Sequence, residues 1–453
     1  MSTIPDGLRT DRTPPISIPL QHFLVGLCFL VVGIGAGTIL SVTALPGLAD
    51  VAQLHLLLVG WIALTIMGAM TQFVPVWSGV ALHSKRLATA QLWLVVGGLV
   101  GFAAALATGS VSLLPIAAGL LLAGVWLFVY TIGRTLLRAR PLDRTERHFA
   151  FALFCFAALA PLGTLLAASF STSVLESLPV TRGGILLAHA TVALYGAVLV
   201  TIAGALSQLA TMFTQTEYAT IDRHLLGLEE LALYGGVAAL AVGRGVGLES
   251  LARAGALAVL VGAAALGLVI ARALFRSTVE RSPMTARYWV VVGSLLAWAV
   301  LAVPAWWRDP TGQAGLFGAP GTTDLLVLGV FGFVVVGTLY HVIPFIVWLE
   351  HYSDRIGLEP VPTIDDLYSS RLERADFGLT LAGFLVLAVA GLLSLPTWLA
   401  AVGGALASVG FALFAANMVW TLRRHGPGGV GDVVRGTGSD SEPDATEVDR
   451  VGD

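Results

Sequence analysis

The sequence predicts an all-α integral membrane protein of about twelve transmembrane helices, and three observations carry that expectation. The first is composition. Of 453 residues, 56% are hydrophobic and only 12% charged, with a mean hydropathy of +0.85. That is too little charge to coat a soluble chain of this length. The second is a series of long apolar runs, such as 23–45, 93–106, 116–132 and 254–270. A helix needs roughly 20 apolar residues to cross the hydrocarbon core of a bilayer. The third is the placement of basic residues, which alternates from one connection to the next.

Spans are expected at about 18–44, 51–76, 88–108, 111–135, 149–170, 183–213, 226–243, 251–274, 288–306, 322–348, 376–395 and 397–422. Turn-forming clusters separate them, among them Pro46-Gly47, Pro141-Leu142-Asp143 and Pro310-Thr311-Gly312. All 25 basic residues except Arg182, Arg244, Arg253 and Arg308 fall on the N-terminal segment, the even-numbered connections or the tail. The positive-inside rule therefore places both termini in the cytoplasm of a multi-pass cell-membrane protein. Residues 1–17 form a cytoplasmic segment and 18–422 the membrane domain. Residues 423–453, rich in Gly, Asp and Ser, are expected to be a disordered acidic tail. No basic segment with a short apolar core and a cleavage site opens the chain, so no removal is expected. The lipid bilayer is the expected partner, and nothing suggests nucleic acid.

The two cysteines, Cys28 and Cys155, both sit in apolar spans, and there is no CxxC or CxxCH. That argues against covalent c-type heme, thiolate zinc sites and a disulfide framework. Both read as packing residues.

Spans 2, 6 and 10 share a pattern. Gly60, Gly196 and Gly329 align, and so do Gly68, Gly204 and Gly337. The offsets are 136 residues from Gly60 to Gly196 and 133 from Gly196 to Gly329. Gln72, Gln208 and His341 follow, then Pro75, Thr211 and Pro344. Each offset corresponds to four spans. The membrane domain is thus expected to be three pseudo-repeated four-helix units, at about 18–135, 149–274 and 288–422. A major-facilitator transporter, by contrast, repeats in halves of six.

Three four-helix units in one chain resembles heme-copper oxidase subunit I. His55, Gly60 and Pro75 resemble the second helix of the nitric oxide reductase large subunit. Val74-Pro75-Val76-Trp77-Ser78-Gly79 resembles NnrS proteins, heme- and copper-containing relatives of the same superfamily. The resemblance implies that His55 ligates a low-spin b-type heme. It also shows departures. The family's His-x-His on the tenth helix falls on Thr322 and Asp324. His189 on span 6 sits two residues before the position matching His55, about 200° around a helix. Span 7 has no histidine, and His224 precedes it. Copper is therefore not expected, and neither oxygen nor nitric oxide reductase turnover is expected from this chain alone. Electron transfer, or metal or nitric oxide handling with a redox or respiratory-chain partner, is the implied role. A cofactor-free membrane transporter and a structural membrane subunit are the alternatives.

An ionisable residue inside a span is costly, which makes it a functional candidate. His55 and His189 are the candidate heme or metal ligands. Asp324 is an outer carboxylate, read as a cap of span 10 in preference to a proton relay. His22, Gln72, Gln208, Tyr340 and His341 are expected to converge as an inner polar cluster, either a proton path or a structural layer. His83, His148, His351 and His425 are expected in solvated loops or the tail. Should copper nevertheless bind, His189, Tyr195, Glu229 and Tyr234 are the first places to look.

Overall fold

The computed structural model describes residues 14–280, 282–356, 358–426 and 430–435. Among them there is no strand, and twelve helices are long and apolar enough to cross a membrane. In order they are α1 (Ser17–Leu40), α2 (Ala49–Ser78), α3 (Lys85–Thr108), α4 (Val111–Leu136), α5 (Arg144–Ala168) and α6 (Arg182–Thr214). Then come α7 (Thr220–Val246), α8 (Glu249–Arg276), α9 (Pro283–Arg308), α10 (Leu325–Arg355), α11 (Ser370–Leu392) and α12 (Thr397–His425). An even number of crossings returns the chain to the face on which it began. We call that the terminal face and its opposite the far face.

Several helices begin earlier than hydropathy alone predicts, because polar residues cap them. Asp143 and Glu146 form a capping box that starts α5 at Arg144, so His148 lies inside the helix. Asp222 accepts from the Ala219 N–H at 2.8 Å and helps start α7 at Thr220, which puts His224 in that helix, exposed. The Ser369 hydroxyl accepts from the Leu372 N–H, so α11 includes Glu373 and Asp376. Gly79, Gly109 and Gly247, with φ of 63°, 69° and 75°, end α2, α3 and α7 in the left-handed conformation that a Cβ disfavours. The tail expectation also needs correction. Val430–Arg435 is a short helix, α13, and Val433 is fully buried. Residues 1–13 and 436–453 lie outside the described residues.

Consecutive helices pack as hairpins wherever small residues let backbones meet. Gly98 of α3 faces α4, Gly236 of α7 faces α8, and Gly383 of α11 faces α12. A Cβ at these glycines would come within 2.8, 2.7 and 2.5 Å of backbone nitrogens of the partner helix.

Helices α6 and α10 are the most enclosed, followed by α2 and α8. Each of α2, α6 and α10 contains an eight-residue π-helical segment: Leu56–Ala63, Val192–Leu199 and Leu325–Gly332. The three helices meet at an apolar cavity of about 70 Å³. Thr65, Ile66 and Ala69 line it from α2, Thr201, Ile202 and Ala205 from α6, and Val334, Val335 and Thr338 from α10.

Candidate functional site

The two histidines singled out by sequence both lie near the far face and are half-buried. His55 hydrogen-bonds through Nδ1 to the Val51 carbonyl at 2.8 Å, one turn back on α2. Its ring packs against Phe102 of α3, with centroids 5.0 Å apart. His189 on α6 hydrogen-bonds through Nδ1 to the Leu159 carbonyl of α5 at 3.0 Å. Gly163 of α5 lets that ring approach, since a Cβ there would lie 2.9 Å from the imidazole Cε1. A carbonyl on Nδ1 fixes the orientation of each ring and leaves Nε2 as the nitrogen without a hydrogen-bond partner among the described residues.

The resemblance pairs the second helix with the tenth. Here the His55 ring packs against the third helix. Asp324 approaches Gly391 of α11, and it makes no side-chain capping hydrogen bond to α10. The Thr322 hydroxyl donates to the Ala319 carbonyl at 2.7 Å. Tyr195 donates to the Leu316 carbonyl at 2.8 Å. Among the described residues no three His, Cys, Asp or Glu side chains are grouped to hold a metal ion. Two carbonyl-held imidazoles are donors of the type a b-type heme takes, and no third imidazole joins them among the described residues.

The inner polar residues do not converge. Gln208 is exposed, and Gln72 is buried with its side-chain oxygen unpartnered. The His341 ring packs between Phe213 and Phe345. His22 and Tyr340 enter two separate polar contacts, described next.

Sequence reasoning missed the strongest of the structure's polar features. Three buried contacts join the first helix of a hairpin set to the third. His22 of α1 is bonded to Gln91 of α3, with its other ring nitrogen on the Ile18 carbonyl at 2.8 Å. His148 of α5 is bonded to both oxygens of Glu229 of α7, at 3.1 and 3.2 Å, and both side chains are fully buried. Arg287 of α9 pairs with Asp376 of α11 and, at 3.3 Å, with Glu373. Tyr340 donates to the second Asp376 oxygen, and the Asn417 amide donates to Tyr340 at 3.0 Å. The three basic residues also share their surroundings: His22 lies against Gly68, His148 against Gly204 and Arg287 against Gly337.

His148 was expected in a solvated loop, and the structure corrects this. It is buried, and Tyr234 stands edge-on to its ring with centroids 5.3 Å apart. The signal was present in Asp143-x-x-Glu146, which starts the helix one turn before His148. His351 and His425 also lie on helices, and His425 meets the Tyr352 hydroxyl at 2.9 Å. Glu229 and Tyr234 lie toward the terminal face, away from His189 and Tyr195, so these four do not form one site.

No family model matches the chain, and no curated protein matches it in sequence.

Proposed function

We propose that this chain is a heme-copper-oxidase-like membrane protein of three four-helix units, in which His55 and His189 hold a b-type heme. The single observation that supports the cofactor reading is that two imidazoles near the far face are each held through Nδ1 by a backbone carbonyl. The three-unit reading is supported by the π-helical segments at matching positions of α2, α6 and α10. Equivalent residues of those helices lining one cavity support it further, as do the three glycine-backed polar contacts.

A b-type heme would supply reversible one-electron transfer. Val51 and Leu159 carbonyls would hold the two rings, and Phe102 would pack beside the His55 ring. Two of the residues considered for a binuclear centre have other partners. Thr322 is committed to a backbone carbonyl, and Glu229 to His148. The reading is therefore electron transfer, or metal or nitric oxide handling, with a membrane or respiratory-chain partner and without oxygen or nitric oxide turnover. A purified, heme-replete protein should show a Soret band and a reducible b-type spectrum. His55→Ala should abolish that spectrum while the protein stays in the membrane. A colourless wild-type protein would remove the heme reading and favour a cofactor-free transporter, for which the buried His148–Glu229 pair is the motivating feature.

The terminal face is proposed to be cytoplasmic in the cell membrane, on the distribution of basic residues. A reporter fused after Arg424 should report cytoplasm and one inserted beside Gly312 the outside. The reverse pair of signals would overturn this orientation.

A further inference from the structure

Arg244, near the end of α7, is 1% exposed. Three neutral oxygens receive its hydrogen bonds. Nε donates to the Pro310 carbonyl at 2.8 Å, Nη1 to the Thr191 hydroxyl at 2.8 Å and Nη2 to the Gly315 carbonyl at 3.0 Å. Its guanidinium also lies over the Trp306 ring, 5.2 Å from the centroid. A guanidinium has five N–H groups, so this arrangement leaves two uncommitted. The other deeply buried arginine, Arg287, has two carboxylates. Arg244 has none within ion-pairing distance among the described residues. Asp309 acts on it only across space. That carboxylate is exposed, and one of its oxygens takes the Thr311 hydroxyl at 3.4 Å.

A buried cation without a counter-ion is strongly unfavourable in a low-dielectric interior. Arg244 also lines a cavity of about 520 Å³ at the far face, together with Thr181, Gly183, Gly184, Thr311 and Gln313. The start of α6 forms part of the same wall. Its Thr181 hydroxyl accepts from the Gly184 N–H at 3.0 Å, and the first-turn amides add positive potential. No carboxylate contributes to that wall. Arg182, next to Thr181, turns away to Ser169 and Phe170.

We infer that this cavity is an oxyanion-binding site, in which Arg244 receives a carboxylate or phosphate group entering from the far face. A bidentate pair with the two uncommitted N–H groups would complete the guanidinium. The apolar side of the cavity, formed by Leu178, Leu187 and Val246, accepts the body of a small organic acid or the glycerol end of a lipid. The site shares no residue with the heme reading.

Thermal unfolding of the full chain tests it in two arms. In detergent, inorganic phosphate or acetate is titrated at constant ionic strength against chloride. In nanodiscs, phosphatidylglycerol is compared with phosphatidylcholine. A saturable rise in Tm with phosphate or acetate but not chloride identifies a free anion. A rise confined to phosphatidylglycerol identifies a lipid headgroup. Either rise must vanish in Arg244→Gln. Gln313→Leu, a change at an exposed position, keeps the guanidinium and should weaken binding about tenfold, the worth of one hydrogen bond to a charged group. It decides the matter if Arg244→Gln does not fold. No specific rise in either arm, or a rise that survives both substitutions, overturns the proposal.

Discussion

Arg287→Met is expected to destabilise the protein by about 3–5 kcal/mol, the usual cost of stranding a buried charge. The guanidinium is 1% exposed, and removing it leaves Asp376 and Glu373 facing each other without a cation. Truncated packing is a smaller part of the effect, because methionine fills much of the same volume against Tyr340 and Phe377, over which the guanidinium now lies. The decisive comparison is a triple variant that adds Asp376→Asn and Glu373→Gln. The amide at 376 still accepts from Tyr340, and no net charge remains in the site. Most of the lost stability should return. Unfolding in mixed micelles measures both. A loss below about 1 kcal/mol for Arg287→Met would show that water reaches the site, and a triple variant no more stable than the single would show that charge is not the cause.

Alanine at the three glycines facing these polar contacts should give unequal results. A Cβ at Gly68 would lie 2.6 Å from the Cβ of His22, and at Gly204 2.5 Å from that of His148. Neither neighbour atom is the flexible end of a side chain, so a helix must shift. About 1–3 kcal/mol is expected at each site, as for other overpacked interiors. At Gly337 the nearest atom, the Cβ of Arg287, is 3.6 Å away. Gly337→Ala should therefore be neutral, or stabilising by up to about 1 kcal/mol from helix propensity. Equal losses at all three positions would mean that the helices are not packed at these distances. Loss of the His148–Glu229 contact in Gly204→Ala alone would be visible as a changed imidazole NMR signal.

The twelve spans were legible because hydropathy and length act locally and repeat along the chain. The glycines at 60, 196 and 329 and at 68, 204 and 337 were legible as a pattern, and helices of matching form carry them. The side-chain partners were not legible, for two reasons. Hydropathy trims a helix at its charged first turn, and this hid His148 and Glu373, which polar caps draw into α5 and α11. The second reason is rotational. Counting 100° per residue predicts that His55 and His189 point differently on their own helices. In the structure they do turn to different neighbours, His55 to Phe102 of α3 and His189 to Leu159 and Gly163 of α5. The π-helical segments add to this, since each changes the angular register between the two halves of its helix. The inner polar residues failed to converge although equivalent positions one turn away line one cavity: Gln208 is exposed, and Tyr340 is drawn to Asp376.

The Arg287 site also constrains how the chain is made. Its carboxylates lie 86 and 89 residues further along. During synthesis α9 reaches the membrane with an arginine in its first turns, before α11 exists. An isolated arginine costs a few kcal/mol even by insertion scales when it is central, and less near an end where it can snorkel. Helix α9 can therefore enter with Arg287 reaching toward water, and the ion pair can close only once α11 has arrived. The ion pair thus acts as a latch between α9 and α11 that closes late in the making of the chain.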